Sequence, residues 1–538
     1  MENAFPFASR ANTRRGKLTS LLRASAPTLT EGAFAALSVL MLVCSFPDFD
    51  LWPLAWVGFV PLIYVVCRRP HEGKAFLLGL VAGALFFWAS CYWLTYSMIR
   101  YGGIPTLIAY LILLPGALVL GLFPATCLLM LARCVKKCGI GRALLVLPFA
   151  WAACEWARLG VTGQLWNAIG YSQAYVVPLI QTARWGGVYL VSFFILAVNS
   201  VVAYAILARS KQSLLIAVLI LSIVATILFL SAMRPLQQIA TNAPSAIVIA
   251  VQPNVPMEQG RTAEEDAVLV NRHLTLSERA LQENINQQLP RLIVWPESPM
   301  YFSYARDSQF REMVARFAAR NETSLLFNSN EPAPTGGSYN SAVMINSQGR
   351  LVAQYDKIRL LPFGEYVPLP RWLPGAGLVS AMVGDFTPGA VYTLLPVGEA
   401  RTGVFICFES AFPSVARSFA QAGVDVLINV SNDGYLGRTP VLRQHLANTV
   451  FRAVENRRPV LRVTNTGITA HISARGEVTD ATGSFETATR TWTISRSTEG
   501  TTFYTKHGDL FAALCGAISF IALASTFRRS QLRRAATS

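Results

Sequence analysis

The sequence predicts a membrane protein of two parts, a polytopic α-helical membrane domain and a large α/β domain outside the bilayer. Of the 538 residues, 53% are hydrophobic and 14% are charged, whereas about 25% of the residues of a typical soluble protein are charged. Eight apolar segments are long enough, or nearly long enough, to cross a bilayer. Between the seventh and the eighth lies a polar stretch in which short apolar runs alternate with helical patterns.

The apolar segments form the predicted membrane domain. They run over 32–48, 51–67, 75–99, 104–132, 143–158, 185–208, 213–232 and 509–527. If every segment crosses the bilayer, the first seven place the polar stretch on the side opposite to the N-terminus. We therefore expect a basic N-terminus over 1–31, seven membrane helices over 32–232, an outer domain over 233–508, an eighth membrane helix over 509–527 and a basic tail over 528–538.

Basic residues at the ends of the apolar segments predict their orientation. The dense clusters are Arg10, Arg14, Arg15, Lys17 and Arg23 before the first segment, Arg68, Arg69 and Lys74 after the second, Arg133, Lys136, Lys137 and Arg142 after the fourth, Arg209 and Lys211 after the sixth, and Arg528, Arg529, Arg533 and Arg534 after the eighth. All of them fall on one side if both termini are cytoplasmic, as the positive-inside rule requires. The net charge of +16 therefore indicates topology, and no nucleic-acid partner is expected.

The polar stretch is long enough for one α/β domain of sheets and helices. Buried strands are predicted over 246–251, 292–295, 324–327, 403–407, 424–430 and 460–463, and helices over 262–286, 308–320, 411–422 and 440–457. A hairpin is predicted to join 339–345 to 351–355. In such a domain, functional residues are expected at strand ends and in loops.

Cys407 is the single cysteine of the polar stretch, and it follows an apolar, strand-like run. The other eight cysteines lie in or beside apolar segments, so Cys407 has no nearby partner for a structural disulfide. A thiol at a strand end, beside the carboxylate of Glu409, is where a nucleophile is expected. The alternative is an inert core cysteine, because free cysteine is among the most buried residue types.

Two other polar residues follow predicted strands and complete a chemical set with Cys407. Glu297 comes after a strand that Pro296 ends, and Lys357 follows the hairpin. A carboxylate can take the proton of a thiol, and an ammonium can stabilise the thiolate and the oxyanion that forms on an attacked carbonyl. The backbone N–H of Phe408 is a second candidate oxyanion donor.

These residues stand in motifs that resemble those of a known superfamily. The blocks Trp295-Pro296-Glu297, Tyr355-Asp356-Lys357 with Gly364-Glu365, and Cys407-Phe408-Glu409 resemble the Glu-Lys-Cys signature of the nitrilase (carbon–nitrogen hydrolase) superfamily. With seven apolar segments before that domain and one after it, the chain resembles the apolipoprotein N-acyltransferase family of bacteria. Further blocks at 251–256, 357–368, 432–435 and 465–470 extend the resemblance over nearly the whole chain.

The resemblance implies a role for each residue that matches a motif. Glu297 is the general base, Lys357 the oxyanion stabiliser and Cys407 the nucleophile. Glu365 is the second glutamate, which helps to hold the lysine, and Glu409 is the glutamate that the family needs two residues after the cysteine. The implied fold of the outer domain is a nitrilase-like α-β-β-α sandwich.

The sequence departs from the family pattern at two places. Phe408 stands where the family typically has tyrosine, so this chain lacks that hydroxyl, although the backbone donor is unaffected. The family also often has a tryptophan shortly after the opening block, and residues 251–270 contain none.

The resemblance implies an acyl exchange at the outer face of the bacterial inner membrane. Cys407 takes a fatty acyl group from a phospholipid, typically phosphatidylethanolamine, as a thioester. The free α-amine of the diacylglyceryl-cysteine of an apolipoprotein then receives it, which is the last step of lipoprotein maturation and predicts ping-pong kinetics. Lipid, lipoprotein and bilayer are the expected partners, the chain is expected to be a monomer, and neither a cofactor nor a metal is expected.

Other residues are candidates for substrate contact. The segment 369–388 is too apolar for an ordinary solvated loop, and we interpret it as a lid that dips toward lipid, with a packed satellite of the core as the alternative. Its candidate contact residues are Trp372, Leu373, Leu378 and Met382. Asn432 and Tyr435 are predicted to shape the pocket or a turn. His445 is not expected to be catalytic.

Two other functions are compatible with parts of the sequence. A membrane-tethered amidase of the nitrilase type would use the same three blocks, but it would leave the apolar segments and the lid without a purpose. A transporter or receptor with an outer binding domain would favour charged residues within the membrane segments, and such residues are nearly absent there.

Overall fold

The computed structural model describes residues 26–233, 243–257, 261–284, 288–297, 302–334, 336–362, 364–367, 386–498 and 500–535. Helices precede residue 234, and a domain of sheets and helices follows. The helices of the first part are α1 (Leu29–Cys44), α2 (Val60–Arg68), α3 (Glu72–Ser90), α4 (Leu94–Arg100), α5 (Thr106–Cys138), α6 (Ile140–Thr162), α7 (Val177–Ile180), α8 (Ala183–Ala208) and α9 (Lys211–Met233), with 3₁₀ turns at Trp52–Trp56 and Ile169–Gln173.

The predicted outer domain, which keeps that name below, contains twelve strands and five helices within the described residues, and one further helix follows it. The strands are β1 (Pro244–Gln252), β2 (Arg291–Val294), β3 (Ser324–Pro332), β4 (Ser338–Ile345), β5 (Leu351–Asp356), β6 (Leu394–Val397), β7 (Ala400–Ile406), β8 (Val426–Ser431), β9 (Val460–Thr464), β10 (Ala470–Ile472), β11 (Val478–Thr479) and β12 (Ala488–Ser495). The helices are α10 (Ala263–Glu283), α11 (Ser308–Arg320), α12 (Pro413–Gln421), α13 (Val441–Asn456), α14 (Phe503–His507) and α15 (Leu510–Ala535), with 3₁₀ turns at Cys407–Ala411 and Gly434–Leu436.

Six of the described helices are long and apolar enough to cross a membrane, namely α3, α5, α6, α8, α9 and α15. The first two of the eight predicted segments form shorter apolar helices, over Leu29–Cys44 and Trp52–Arg68. In the second segment, Pro53 and Pro61 each stand in the first turn of a separate helical piece. Proline has no backbone N–H and favours a helix start over a helix interior, so the segment is divided.

Two six-stranded sheets form the outer domain, in the orders β12-β1-β2-β3-β4-β5 and β11-β10-β9-β8-β7-β6. Alternation along β1 separates two cores. Ile247 and Ile249 pack in one cluster with Phe310 of α11, and Val248 belongs to a second cluster with Phe405 of β7. The expected sandwich of helices outside two sheets is therefore confirmed.

The direction of the strands brings the predicted site residues to one edge. Strand β2 runs parallel to β3, and β5 runs antiparallel to β4, which is itself antiparallel to β3. The carboxyl ends of β2 and β5 therefore lie at the same edge of their sheet. In the second sheet, β7, β8 and β9 are parallel.

Every predicted strand and helix of the outer domain is found. The ends agree within a few residues, except that β3 extends to Pro332 whereas the prediction ended at 327. Four strands were not predicted, namely β6, β10, β11 and β12. The first three have four, three and two residues, too few for a periodic pattern. β12 is only partly buried, and Arg490 breaks the alternation that Trp492 and Ile494 continue, so the apolar pattern is short.

His273 is a buried histidine that gives the outer domain a pH-dependent stability. It is 2% exposed, its Nδ1 donates to the Leu269 carbonyl over 2.8 Å, and its ring centroid lies 5.0 Å from that of Trp295. Burial lowers the pKa of His273 to about 4 from an ordinary value of 6.5. The neutral form therefore contributes stability above pH 6.5 that is lost as the pH falls toward 4, up to about 3 kcal/mol.

We expect His273→Phe to reduce the loss of stability in acid. The measurement is the free energy of unfolding in detergent at pH 7 and pH 4.5, for wild type and variant. An equal fall in both proteins between the two pH values would contradict this expectation.

Candidate active site

The three predicted catalytic residues come from the ends of three strands in two sheets. Lys357 directly follows β5, and Glu297 comes three residues after the end of β2, both at the same edge of one sheet. Cys407 directly follows β7 of the other sheet. Because the sheets face each other, one position between them is accessible to a base, a cation and a thiol.

Lys357 lies between two carboxylates. Its Nζ is 2.8 Å from Glu365 Oε1 and 3.7 Å from Glu297 Oε1. Asn340 Nδ2 donates to the same two oxygens, over 2.7 Å to Glu365 and 2.9 Å to Glu297. Lys357 is 1% exposed and Glu365 is 7% exposed, so solvent screens these contacts poorly.

The carboxylates keep Lys357 charged. Burial by itself lowers the pKa of the Lys357 ammonium, but Glu365 and Glu297 outweigh burial, and the pKa lies above its ordinary value. A cation that keeps its proton is suited to stabilise negative charge and unsuited to act as the base. The base is then sought among the carboxylates, and Glu297 is the more exposed of the two.

Cys407 occupies a strained turn. Its φ is +51°, a region that residues with a Cβ seldom adopt and that is concentrated at functional sites. The side chain is partly exposed. Burial raises the pKa of the thiol and Glu297 raises it further, whereas Lys357 opposes both, and the net value is raised. The resting thiol therefore keeps its proton, and a nearby base is needed to make the thiolate.

Glu409 connects the strand ends that carry Lys357 and Cys407. It is fully buried, its Oε1 accepts from the N–H groups of Ile358 and Arg359 over 2.8 and 3.0 Å, and its Oε2 accepts from Ile406 N–H over 2.8 Å. Tyr355 Oη also donates to it. Burial raises the pKa of Glu409, and the backbone donors only partly offset that effect. Glu409 thus fixes the loop after β5 to the turn after β7.

Phe408 faces the helical part of the chain. Its ring stacks on Trp166, which lies in the segment between α6 and the 3₁₀ turn at Ile169–Gln173, with centroids 5.6 Å apart and planes 11° apart. Trp166 Nε1 donates to Gln444 Oε1 over 3.0 Å, and the same oxygen accepts from Trp93 Nε1 over 3.0 Å. The residue after Cys407 therefore packs against the helical part of the chain.

We expect Phe408→Ala to lower the free energy of unfolding by about 1–3 kcal/mol, because it removes the stacked ring. Phe408→Tyr keeps the ring and should retain most of that stability. Thermal unfolding of both variants in detergent tests this. Equal melting temperatures for the alanine variant and wild type would be incompatible with a stabilising stack.

The other predicted contact residues have different positions. Asn432 donates its backbone N–H to Glu297 Oε2 over 3.1 Å, so it holds the proposed base. Tyr435 packs against α4, where its carbonyl accepts from Ser97 Oγ over 2.6 Å and its ring meets Tyr101 at 6.0 Å. The lid residues Trp372, Leu373, Leu378 and Met382 lie outside the described residues.

Sequence reasoning missed several residues around the site. Asn340 and Trp166 have no local signal in the sequence, because their partners are distant along the chain. His445, assigned no role, approaches the main chain of Cys407, with Nε2 2.9 Å from the Cys407 carbonyl oxygen. Asp433 contacts His445, and Arg462 contacts Asp433. These three residues are far apart in the sequence or on different elements, so the sequence pattern does not predict that they meet.

Among the residues that the structure describes, no three histidine, cysteine, aspartate or glutamate side chains are grouped to hold a metal ion. By their chemistry, a thiol, a carboxylate and an ammonium can act as a nucleophile, a base and an oxyanion stabiliser. That set is suited to acyl transfer through a covalent intermediate.

Comparison with known proteins identifies two family models along the chain. Residues 38–201 match the apolipoprotein N-acyltransferase N-terminal domain. Residues 233–504 match the carbon-nitrogen hydrolase family. The second match contains Glu297, Lys357 and Cys407, whereas Trp93 and Trp166 fall in the first.

Relatives that match over most of this chain are apolipoprotein N-acyltransferases. An apolipoprotein N-acyltransferase of Geobacter metallireducens is 34% identical over 515 residues, which cover 93% of this chain and 95% of the relative. The apolipoprotein N-acyltransferase of Chlorobaculum tepidum is 27% identical, over 92% of this chain and 96% of the relative. That of Brucella suis is 31% identical, over 86% and 88%.

Solved structures resemble the outer domain at lower similarity. An amidase from Nesterenkonia sp. gives a TM-score of 0.36 at 15% identity, covering 50% of this chain and 96% of that chain. A Saccharomyces cerevisiae member of branch 10 of the nitrilase superfamily gives 0.35 at 18% identity, covering 47% and 91%.

Proposed function

The chain belongs to the apolipoprotein N-acyltransferase family, and we propose that it moves a fatty acyl group from a membrane phospholipid to the N-terminal α-amine of a diacylglyceryl-cysteine. The observation that carries this proposal is the position of the nucleophile. Cys407 is followed by Phe408, which stacks on Trp166 in the segment that directly follows the membrane-length helix α6. A soluble amide substrate would not require that proximity, whereas a lipid acyl chain does.

The first half-reaction forms a thioester. Glu297 accepts the proton of the Cys407 thiol, and the thiolate attacks the carbonyl carbon of a phospholipid ester. Lys357 and the Phe408 N–H stabilise the oxyanion of the tetrahedral intermediate. When it collapses, the C–O bond of the ester breaks, and the lysophospholipid oxygen takes the proton from Glu297.

The second half-reaction returns the enzyme to its resting state. The neutral α-amine of the acceptor attacks the thioester carbon, and Glu297 accepts the proton that the amine loses. Collapse breaks the C–S bond, releases the amide product and restores the Cys407 thiol with that proton. The same base and oxyanion donors serve both halves, which is the basis of a ping-pong sequence.

We further propose that the catalytic domain lies on the periplasmic side of the bacterial inner membrane, with both termini in the cytoplasm. The basic clusters at one set of segment ends support this orientation. Phosphatidylethanolamine is the proposed donor, and the chain is proposed to act as a monomer on diacylated apolipoprotein.

Reconstitution tests the proposal. Proteoliposomes contain phosphatidylethanolamine with a labelled acyl chain and a diacylated lipopeptide with a free α-amine. We expect the label to appear as an amide on the lipopeptide, and an α-N-acetylated lipopeptide should receive none. Release of ammonia from small amides, without transfer of label, would support the amidase function instead.

A further inference from the structure

A buried polar network connects the main chain of Cys407 to α13 and β9. It consists of His445, Asp433 and Arg462. His445 Nε2 lies 2.9 Å from the Cys407 carbonyl oxygen and Nδ1 lies 2.7 Å from Asp433 Oδ1. Arg462 donates to Asp433 Oδ2 over 2.7 Å. All three side chains are at most 3% exposed, so these contacts form without competition from solvent.

The chemistry of the partners fixes the direction of each hydrogen bond. A carbonyl oxygen only accepts, so His445 Nε2 carries the proton and donates to Cys407. Burial raises the pKa of Asp433, but His445 and Arg462 outweigh it and hold that pKa well below its usual range. An ionised carboxylate also only accepts, so Nδ1 donates to Asp433. The ring is held on both sides and cannot rotate without losing both bonds.

The bond to the carbonyl determines where the next N–H points. The Cys407–Phe408 peptide is trans, and in a planar trans peptide the C=O and the N–H point in opposite directions. By holding the Cys407 carbonyl, His445 directs the Phe408 N–H to the other side of the peptide. Cys407 also has a φ of +51°, a strained conformation that persists only where the surroundings impose it.

We propose that His445 is a positioning residue that aims the Phe408 N–H at the oxyanion formed on the acyl group bound to Cys407. The proposal rests on the acyl transfer proposed above and adds a residue that the Glu-Lys-Cys motifs do not contain. Asp433 and Arg462 orient the ring. The hydrogen bonds of the His445 ring go to the Cys407 carbonyl and to Asp433, so we assign its action to the peptide.

A purely structural role makes a different prediction from a positioning role. If His445 only joined α13 to the turn, its loss would slow every reaction of Cys407 in proportion. If it aims an oxyanion donor, its loss slows only the reactions that develop an oxyanion. Acylation by an ester passes through a tetrahedral oxyanion, whereas alkylation by iodoacetamide displaces iodide without one.

Two matched variants separate these roles. In His445→Gln the amide nitrogen can occupy the place of Nε2 and donate to Cys407. In His445→Asn the shorter amide nitrogen matches Nδ1 and reaches only Asp433. His471→Asn, on β10 of the same sheet, is the control. Each protein is tested in detergent for single-turnover acylation by p-nitrophenyl butyrate, for alkylation by iodoacetamide and for its melting temperature.

We expect His445→Asn to lower the acylation rate about 100-fold, the cost of losing one oxyanion donor, with alkylation changed less than about threefold. His445→Gln should recover at least about tenfold of that loss. Equal slowing of both reactions, or equal behaviour of the two variants, would overturn the proposal. If His445→Asn does not fold, His445→Met replaces it as the variant without a donor.

The same experiment separates this inference from the proposed function. Wild type is also incubated with phospholipid vesicles of phosphatidylethanolamine. Acylation of wild type by the nitrophenyl ester but not by phospholipid would refute the proposed acyl donor, while the comparison of His445 variants would still test the positioning role.

Discussion

Cys407→Ser is expected to lower acyl transfer by about 10⁴-fold or more, with the fold retained. The oxygen atom fits the place of the sulfur, and the backbone at φ +51° is unchanged. A serine hydroxyl is a far weaker acid than a thiol, so Glu297 cannot generate the nucleophile. Transfer of labelled acyl chains to a lipopeptide measures the rate, and thermal unfolding measures the fold.

A matched cysteine serves as the control for that variant. Cys138, at the end of α5, is also partly exposed, and Cys138→Ser should transfer at the wild-type rate. Transfer by Cys407→Ser at a rate comparable to that of Cys138→Ser would remove Cys407 from the mechanism.

Lys357→Met is expected to reduce both activity and stability. Acyl transfer should fall about 10³-fold, because the oxyanion loses its cation. Unfolding should become easier by about 3–5 kcal/mol, because Glu297 and Glu365 lose the buried cation that lies 3.7 and 2.8 Å from them. The raised pKa of Lys357 means that its contribution is lost only as the pH rises above the ordinary lysine range, so it should be constant between pH 5 and 9.

A second substitution separates the two effects of Lys357. The double variant Lys357→Met, Glu365→Gln removes the nearer of the two uncompensated carboxylates and should recover part of the melting temperature. It should not recover activity, since no cation returns to the oxyanion. Recovery of transfer in the double variant would contradict the proposed role of Lys357.

The catalytic strand ends were predictable because their signals are local. Apolar runs that end at Glu297, Lys357 and Cys407 mark strands whose carboxyl ends carry polar groups, and the motifs around them are contiguous. The strands β7 and β8 were also predictable from a local pattern. Their residues are buried throughout, apart from the exposed Arg401, so the apolar run is nearly continuous.

The supporting residues were not predictable because their contacts join distant parts of the chain. Asn340 bridges Glu297 and Glu365, and Trp166 of the helical part meets Phe408. His445 lies on a helix that carries both polar and apolar residues, so its position gives no local signal. Only the fold brings it to the Cys407 carbonyl. The second membrane segment was predicted as one span, because hydropathy does not register the break that Pro53 and Pro61 introduce.

An acyl group on Cys407 is the most direct test of the mechanism. Wild-type protein in phosphatidylethanolamine vesicles, without acceptor, should gain one fatty acyl mass on the peptide that contains Cys407. Neutral hydroxylamine should remove it, as expected for a thioester, and a diacylated lipopeptide should remove it as the amide product. If the protein transfers acyl chains at its normal rate and no adduct forms on Cys407, the covalent mechanism proposed here is wrong.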